Sequence, residues 1–375
     1  MDVNRHHRWG GRFIGMTLAL AAAWSGVADT NLWPARAKSK SIGISSVVGA
    51  PPKDFGRFGR CRILGLGGQV GGRSDFLVVT EHLQPRNNPQ HVPVEHPGGR
   101  FNLPMSRYNG SRASFQAARA AKPRGLFIYL TGIIGLTPPE EKLVATFRAA
   151  GWHTLVSETS FNFMRRRYEL ITPATLRPVA ERLGRDINEH LADKAYAVEA
   201  MLEFLTRRWP ELSKGHRIVA GGSAGSIAVP AVVAKIGRPD AVILVGAGGN
   251  AARIVSESSL APLTLYRHEG AGANRIRVRL SKAELLAVQK VMYAATRLDP
   301  LRLAKRLQGI PTLMLRAELD QIVPVATNDL LFEALGRPER WSLPVNHIML
   351  FGALHLQSGM ILGWTEKNIG AADKP

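Results

Sequence analysis

Ser223 stands in the pentapeptide Gly221-Gly222-Ser223-Ala224-Gly225, after the apolar run Arg217-Ile218-Val219-Ala220 and before a second apolar stretch that reaches residue 236. A G-x-S-x-G step from strand to helix is a sharp turn that lifts the serine side chain above the sheet edge. Small residues two before and two after the serine let neighbouring backbone approach. The start of the following helix offers free N–H groups and the positive end of its dipole where an oxyanion would develop. A serine held this way becomes a nucleophile when a base takes its proton and an acid orients that base.

The acid is expected beyond the run Pro311-Thr312-Leu313-Met314-Leu315, in Glu318-Leu319-Asp320-Gln321-Ile322-Val323-Pro324. A carboxylate at the C-terminal end of a parallel strand faces the crevice where such sheets bind ligands. Asp320 is the candidate acid, and Glu318, two residues earlier, is the alternative. For the base, Asn346-His347 follows the run Arg340-Trp341-Ser342-Leu343-Pro344-Val345 at once, so His347 is expected on a loop at that strand's carboxyl end. His355 is its rival and falls about two turns into the helix that follows. The chain order Ser223, Asp320, His347 is that of hydrolases built on a strand–turn–helix serine.

These residues need a scaffold of alternating strands and helices. Apolar runs at 63–66 and 76–79 read as opening strands, and 83–124, rich in Pro, Asn, Arg and Gly, as loop. Gly125 to Leu130 reads as a buried strand, Pro138-Pro139-Glu140-Glu141 as a helix start with acids in its first turn, and Trp152 to Val156 as the next strand. Ile187, Leu191, Ala195, Val198, Leu202 and Leu205 recur at steps of three and four, which predicts a helix over 186–208 with one apolar face. Strands at 217–220, 241–245, 311–315 and 340–344 and helices near 224–236, 326–336 and beyond 347 complete the pattern. Strands alternating with helices predict an α/β fold with a mostly parallel sheet covered on both faces.

With these three motifs in this order, the chain resembles the α/β-hydrolases over about residues 61–365. The resemblance implies a mostly parallel central sheet with helices on both faces and, at 250–308, an inserted and partly helical cap. It implies a serine hydrolase that cleaves carboxylic esters through a Ser-His-Asp acyl-enzyme, with no metal or organic cofactor. In that family one oxyanion donor is the N–H after the nucleophile, here Ala224, and the other lies on the loop after an inner strand. The matching stretch is Thr131-Gly132-Ile133-Ile134-Gly135, which gives Ile133 or its neighbour Ile134, with Thr131 where the family often has His. The stretch from Asp299-Pro300-Leu301 to Pro311, Asp320 and Val323-Pro324 is also similar to acetyl esterases of the cephalosporin-deacetylase and acetyl-xylan-esterase kind. A serine peptidase or amidase, and a non-catalytic binding protein on the same fold, are the alternative classes.

Composition bounds the rest. The chain has 375 residues, 45% hydrophobic and 21% charged, with one Cys, which excludes a collagen-like, coiled-coil or disulfide-stapled protein. Its formal charge is +20, a surface compatible with electrostatic association with anionic envelope polymers. The basic residues are spread along the chain without a nucleic-acid-binding motif, so no specific nucleic acid is expected as a partner. Arg253, Arg267, Arg275, Arg277, Arg279 and Lys282 in the expected cap suit an acidic or carbohydrate-linked ester, or a solvated face. Phe161, Phe163 and Met164 are candidates for an acyl pocket or for core.

Arg5, Arg8 and Arg12 precede the apolar run Phe13 to Trp24, and small-x-small sites follow at Gly26-Val27-Ala28 and Ala35-Arg36-Ala37. This reads as a secretory signal over 1–28, or as far as 37, with a linker at 38–60 and one α/β domain over 61–375. The apolar run is shorter than a membrane span needs. Export to periplasm or medium is therefore expected, with an N-terminal membrane anchor as the alternative.

Overall fold

The computed structural model describes residues 58–65, 73–82, 91–96, 99–104, 108–159, 167–270 and 275–372. The expected signal, nearly all of the expected linker, and Phe161, Phe163 and Met164 lie outside them.

The strands are β1 (Phe58–Gly65), β2 (Arg73–His82), β3 (His91–His96), β4 (Gly99–Pro104), β5 (Tyr108–Gln116), β6 (Gly125–Leu130), β7 (Trp152–Ser157), β8 (Arg167–Leu170), β9 (His216–Gly222), β10 (Ala241–Val245), β11 (Leu263–Glu269), β12 (Ile276–Arg279), β13 (Thr312–Ala317) and β14 (Glu339–Leu343). The α-helices are α1 (Pro138–Ala149), α2 (Leu176–Arg208), α3 (Ala224–Ile236), α4 (Ala251–Glu257), α5 (Lys282–Ala295), α6 (Pro300–Leu303), α7 (Val325–Ala334) and α8 (His347–Ala372). Nine strands form one sheet in the order β1-β2-β5-β7-β6-β9-β10-β13-β14. From β7 to β14 every neighbouring pair is parallel. At the other edge β1, β2 and β5 run antiparallel to their neighbours.

The inner strands are apolar on both sides because both faces are covered. Leu126, Ile128, Leu130, Val219, Val242 and Leu244 point into a core shared with α2 and α3. Their alternating neighbours Phe127, Tyr129, Ile218, Ala220, Ile243 and Val245 point into a second core shared with α1 and α8. That is the doubly covered α/β sheet expected from the alternation.

The N-terminal half of the scaffold differs from the sequence reading in three places. Residues 83–124 are not all loop: β3 and β4 form a hairpin and β5 joins the main sheet. Strand β5 carries Asn109, Ser111 and Ser114, all buried, in place of the apolar alternation that marks a strand. Strand β1 begins at Phe58, inside the expected linker. Helix α2 begins at Leu176, ten residues before the expected start, because Ala180, Leu183 and Gly184 extend the buried stripe.

The segment between β10 and β13 holds α4, β11, β12, α5 and α6, and β12-β11-β8 form a separate three-stranded sheet. It is tied to α2 by polar contacts. The Thr296 hydroxyl donates to the Gly184 carbonyl at 3.1 Å, and Leu298 N–H donates to Asn188 Oδ1 at 2.8 Å. Asp299, buried, accepts from Asn250 N–H at 3.1 Å and Ala251 N–H at 2.6 Å, tying the end of the insertion to its start. A buried N–H left without its acceptor costs about 1–3 kcal/mol. Asn188→Ala is therefore expected to lower unfolding free energy by that amount, read by urea denaturation.

Candidate active site

Ser223 follows β9 directly and its backbone adopts φ 52°, ψ −119°. A non-glycine residue holds such a conformation only where its surroundings impose it. Here Ser223 N–H donates to the Val245 carbonyl at 2.8 Å. The buried Ser226 hydroxyl, in the first turn of α3, reaches the Gly221 and Val245 carbonyls and accepts Val245 N–H at 2.9 Å. Gly225 lets α3 press against β6: a β-carbon there would lie 2.1 Å from the Leu130 carbonyl oxygen.

Asp320 lies three residues beyond β13. Hydrogen bonds from Glu318 N–H to Leu343 O at 2.9 Å and Leu319 N–H to Val345 O at 3.0 Å carry the β13–β14 pairing past the strand ends. Asp320 Oδ1 accepts from Ile322 N–H at 2.9 Å and Val323 N–H at 2.8 Å, which leaves Oδ2 for the histidine. His347 Nδ1 is 2.6 Å from Asp320 Oδ2, and His347 Nε2 is 3.0 Å from Ser223 Oγ. Because an ionised carboxylate only accepts, Nδ1 carries the proton and Nε2 turns its lone pair to the serine. Asp320 and His347 are buried, while Ser223 is partly exposed. A serine set this way can pass its proton to Nε2 while the carboxylate steadies the cationic ring.

His347 sits on the first residue of α8, not on the expected loop. Asn346 caps that helix, accepting Met349 N–H on its side-chain oxygen at 3.0 Å. A helix start fixes the ring more firmly than a loop would, and Phe351, one turn on, packs 5.1 Å from it. Of the alternatives, Glu318 is exposed, and His355 is exposed on α8 with its ring turned to the Gly352 carbonyl. Neither reaches Ser223.

The loop after β6 borders the serine. A β-carbon on Gly132 would lie 3.3 Å from Ser223 Cβ, and Gly135 N–H closes a tight turn on Gly132 O at 3.4 Å. Ile133 in that turn is partly buried and Ile134 is 53% exposed. Ala224 opens α3, so its N–H is among those without an intrahelical acceptor. Thr131, buried, anchors the loop to the chain after β7. Its N–H donates to Ser157 O at 3.1 Å, and its side-chain oxygen accepts Thr159 N–H at 3.3 Å.

Two further groups border the site at positions that the sequence pattern does not place there. Glu140 turns inward under the elbow: the Tyr129 hydroxyl donates to Oε1 at 2.8 Å, and Oε2 accepts Thr137 N–H at 2.8 Å. Burial pushes its carboxyl above the ordinary range, against the pull of its hydrogen bonds with Thr137 and Tyr129. The Thr137-x-x-Glu140 spacing, half of a capping box, was the available signal. Lys194, in mid-α2, donates to Ser157 O at 3.0 Å, the carbonyl that also holds Thr131, and to Glu158 O. Among the described residues no three His, Cys, Asp or Glu side chains gather as a metal site would require.

A serine on a strained turn after a central parallel strand, with Asp and His after the next-but-one strand and the one beyond it, decides the architecture. The fold is that of the α/β-hydrolases. No protein-family model and no curated protein sequence matches the chain. Among solved structures it is similar to acetyl xylan esterase 1 from Thermoanaerobacterium sp., at 15% identity over 80% of this chain and 87% of that one, with a TM-score of 0.46. It is also similar to Est1E from Butyrivibrio proteoclasticus, at 13% identity over 75% of this chain and 99% of that one, with a TM-score of 0.42. A third is the esterase domain of a Rhodothermus marinus protein, at 15% identity over 75% of this chain and 98% of that one, with a TM-score of 0.40.

Two measurements probe the surroundings of Ser223 without assuming an activity. Gly225→Ala drives a methyl into the Leu130 carbonyl, so it is expected to cost about 1–3 kcal/mol of stability by thermal or urea unfolding. Lys194 is the pH probe, since burial lowers its ammonium to about 7. Between about 7 and the ordinary lysine range the unfolded chain binds a proton that the folded chain lacks, so stability climbs with pH across that window. Lys194→Met should flatten the climb, and identical slopes in both proteins would contradict it.

Proposed function

We propose that this protein is a serine hydrolase that cleaves carboxylic esters through an acyl-enzyme. Ser223 is the nucleophile, His347 the general base and then general acid, and Asp320 the orienting acid. The observation that carries the reading is the continuous chain Asp320–His347–Ser223, with contacts of 2.6 and 3.0 Å, ending on a serine at positive φ. Nε2 takes the hydroxyl proton as Oγ attacks the ester carbonyl. The tetrahedral oxyanion is held by the N–H of Ala224 and one from the 132–135 turn, the Ile133 N–H in our reading. Collapse expels the alcohol, protonated by His347. Water activated by the same imidazole then attacks the acyl-serine, and loss of the acid returns the enzyme.

The basic residues before the apolar run 13–24 and the small residues after it support export. The insertion after β10 follows a strand that adjoins the serine's own, which supports a role as a roof that selects the substrate.

A fluorophosphonate probe tests the reading. Wild type is expected to label and Ser223→Ala not to label, both being folded by circular dichroism. Asp320→Asn, which leaves the geometry but strands the histidine in the wrong tautomer, should lower kcat on a short-chain aryl ester by about 10⁴. Labelling that survives Ser223→Ala would place the nucleophile elsewhere. A folded wild type that neither labels nor turns over would favour a binding role.

A further inference from the structure

Arginines alternate in the sequence Arg275-Ile276-Arg277-Val278-Arg279, and the structure puts this segment on an exposed edge. Strand β12 is the outer strand of the small sheet β12-β11-β8. Residues two apart on a strand share a face about 6.8 Å apart, so the arginines line one side of it. Register defines that side. His268 pairs with Arg277 and Tyr266 with Arg279, while on the parallel partner Thr264 pairs with Tyr168. The opposite face carries Leu263 and Leu265, which are buried, so the arginine face is the one turned to solvent.

Among the described residues of the three strands, that face holds Arg275, Arg277, Arg279, His268, Tyr266 and Tyr168, with Thr264 and Leu170, and no acidic residue. The cap acids Glu269 and Glu284 are engaged by Arg267, which pairs with Val278 and so lies on the other face. Among the described residues none of the three arginines is within ion-pair distance of a carboxylate. Desolvation, then the charges of Arg275 and Arg277, hold the His268 imidazole below its ordinary range, a sign that the cationic field is concentrated there.

We infer that this face is a binding platform for a linear acidic polysaccharide, whose carboxylates are gripped by Arg275, Arg277 and Arg279. Guanidinium groups bind carboxylates by paired hydrogen bonds, and an evenly spaced row suits a chain with evenly repeated charge. A single-stranded nucleic acid would share the charge but also needs aromatic faces free for its bases. Here the Tyr266 ring is already covered by the Arg277 guanidinium at 5.0 Å, which leaves Tyr168, 63% exposed, as the uncovered tyrosine among the described residues of this face. The platform is distinct from the Ser223 site and does not depend on its chemistry.

Polygalacturonate is the probe, and binding of the full-length protein is measured by calorimetry at fixed ionic strength. The variant Arg275→Gln/Arg277→Gln/Arg279→Gln is compared with Lys142→Gln/Lys290→Gln/Lys305→Gln, which removes the same charge from exposed positions elsewhere, both checked by thermal melting. The arginine variant is expected to weaken binding by at least about tenfold and the lysine variant by less than about threefold. In wild type the His268 imidazole, followed by NMR, should titrate at higher pH once the polymer neutralises its neighbours. Equal weakening in the two variants, a His268 titration that does not move, or tighter binding to poly(dT) than to polygalacturonate would each overturn the proposal.

Discussion

Serine at positive φ is the constraint on which the site depends. Nothing intrinsic to Ser223 favours that conformation; it is imposed by the close approach of α3 to β6, which the missing side chain of Gly225 permits. Ser226 fastens the same turn to β10 from below. The strain is sustained because several buried interactions act on one residue from different directions. Once it is imposed, the hydroxyl has one direction to face, and the rest of the fold is arranged to meet it there. Helix α8 starts where the imidazole must stand, and one Asp320 oxygen accepts from Ile322 and Val323 N–H so that the other is fixed toward the ring.

Beneath this constellation the two cores have different roles. The core with α1 and α8 contains Tyr129 and brings Glu140 under the elbow, joining the start of α1 to the end of β6 across the loop that borders the serine. The core with α2 and α3 carries the insertion, which is held to α2 by Thr296 and Leu298 as well as by apolar packing, while Asp299 ties its end to its start. Polar ties of this kind depend on direction, so they fix the insertion's position as well as its attachment.

Much of this was legible in the sequence, and the exceptions have physical causes. Ser223 and Asp320 stand out in the sequence because each follows an apolar strand whose end marks the crevice, His347 because it follows the last strand, and the structure puts the three side chains in hydrogen-bond contact. Strand β5 was hidden because its buried positions are filled by Asn109, Ser111 and Ser114, which pattern reading assigns to loops. Lys194 was hidden for the opposite reason. The periodicity of α2 marks one apolar stripe and assigns the remainder to solvent, yet every residue from Leu191 to Val198 is buried. The helix lies between the sheet and the insertion, so burial on its second side follows from tertiary packing that no local pattern encodes. Glu140 was read for its charge near a helix start, and only the fold reveals that it turns inward.

Strands β9 and β13, which carry the serine and the aspartate, are not neighbours; β10 lies between them. Adjacent strands keep a separation of about 4.8 Å, so the two ends stand roughly 10 Å apart wherever a sheet of this order forms. Backbone hydrogen bonding thus measures out a gap that one imidazole, bonded at each end, bridges. The sheet works as a ruler, and the distance between acid and nucleophile is set by the peptide repeat rather than by the loops above it. Those loops and the insertion are therefore open to wide variation in sequence and length, since the spacing of the reacting groups is graduated elsewhere.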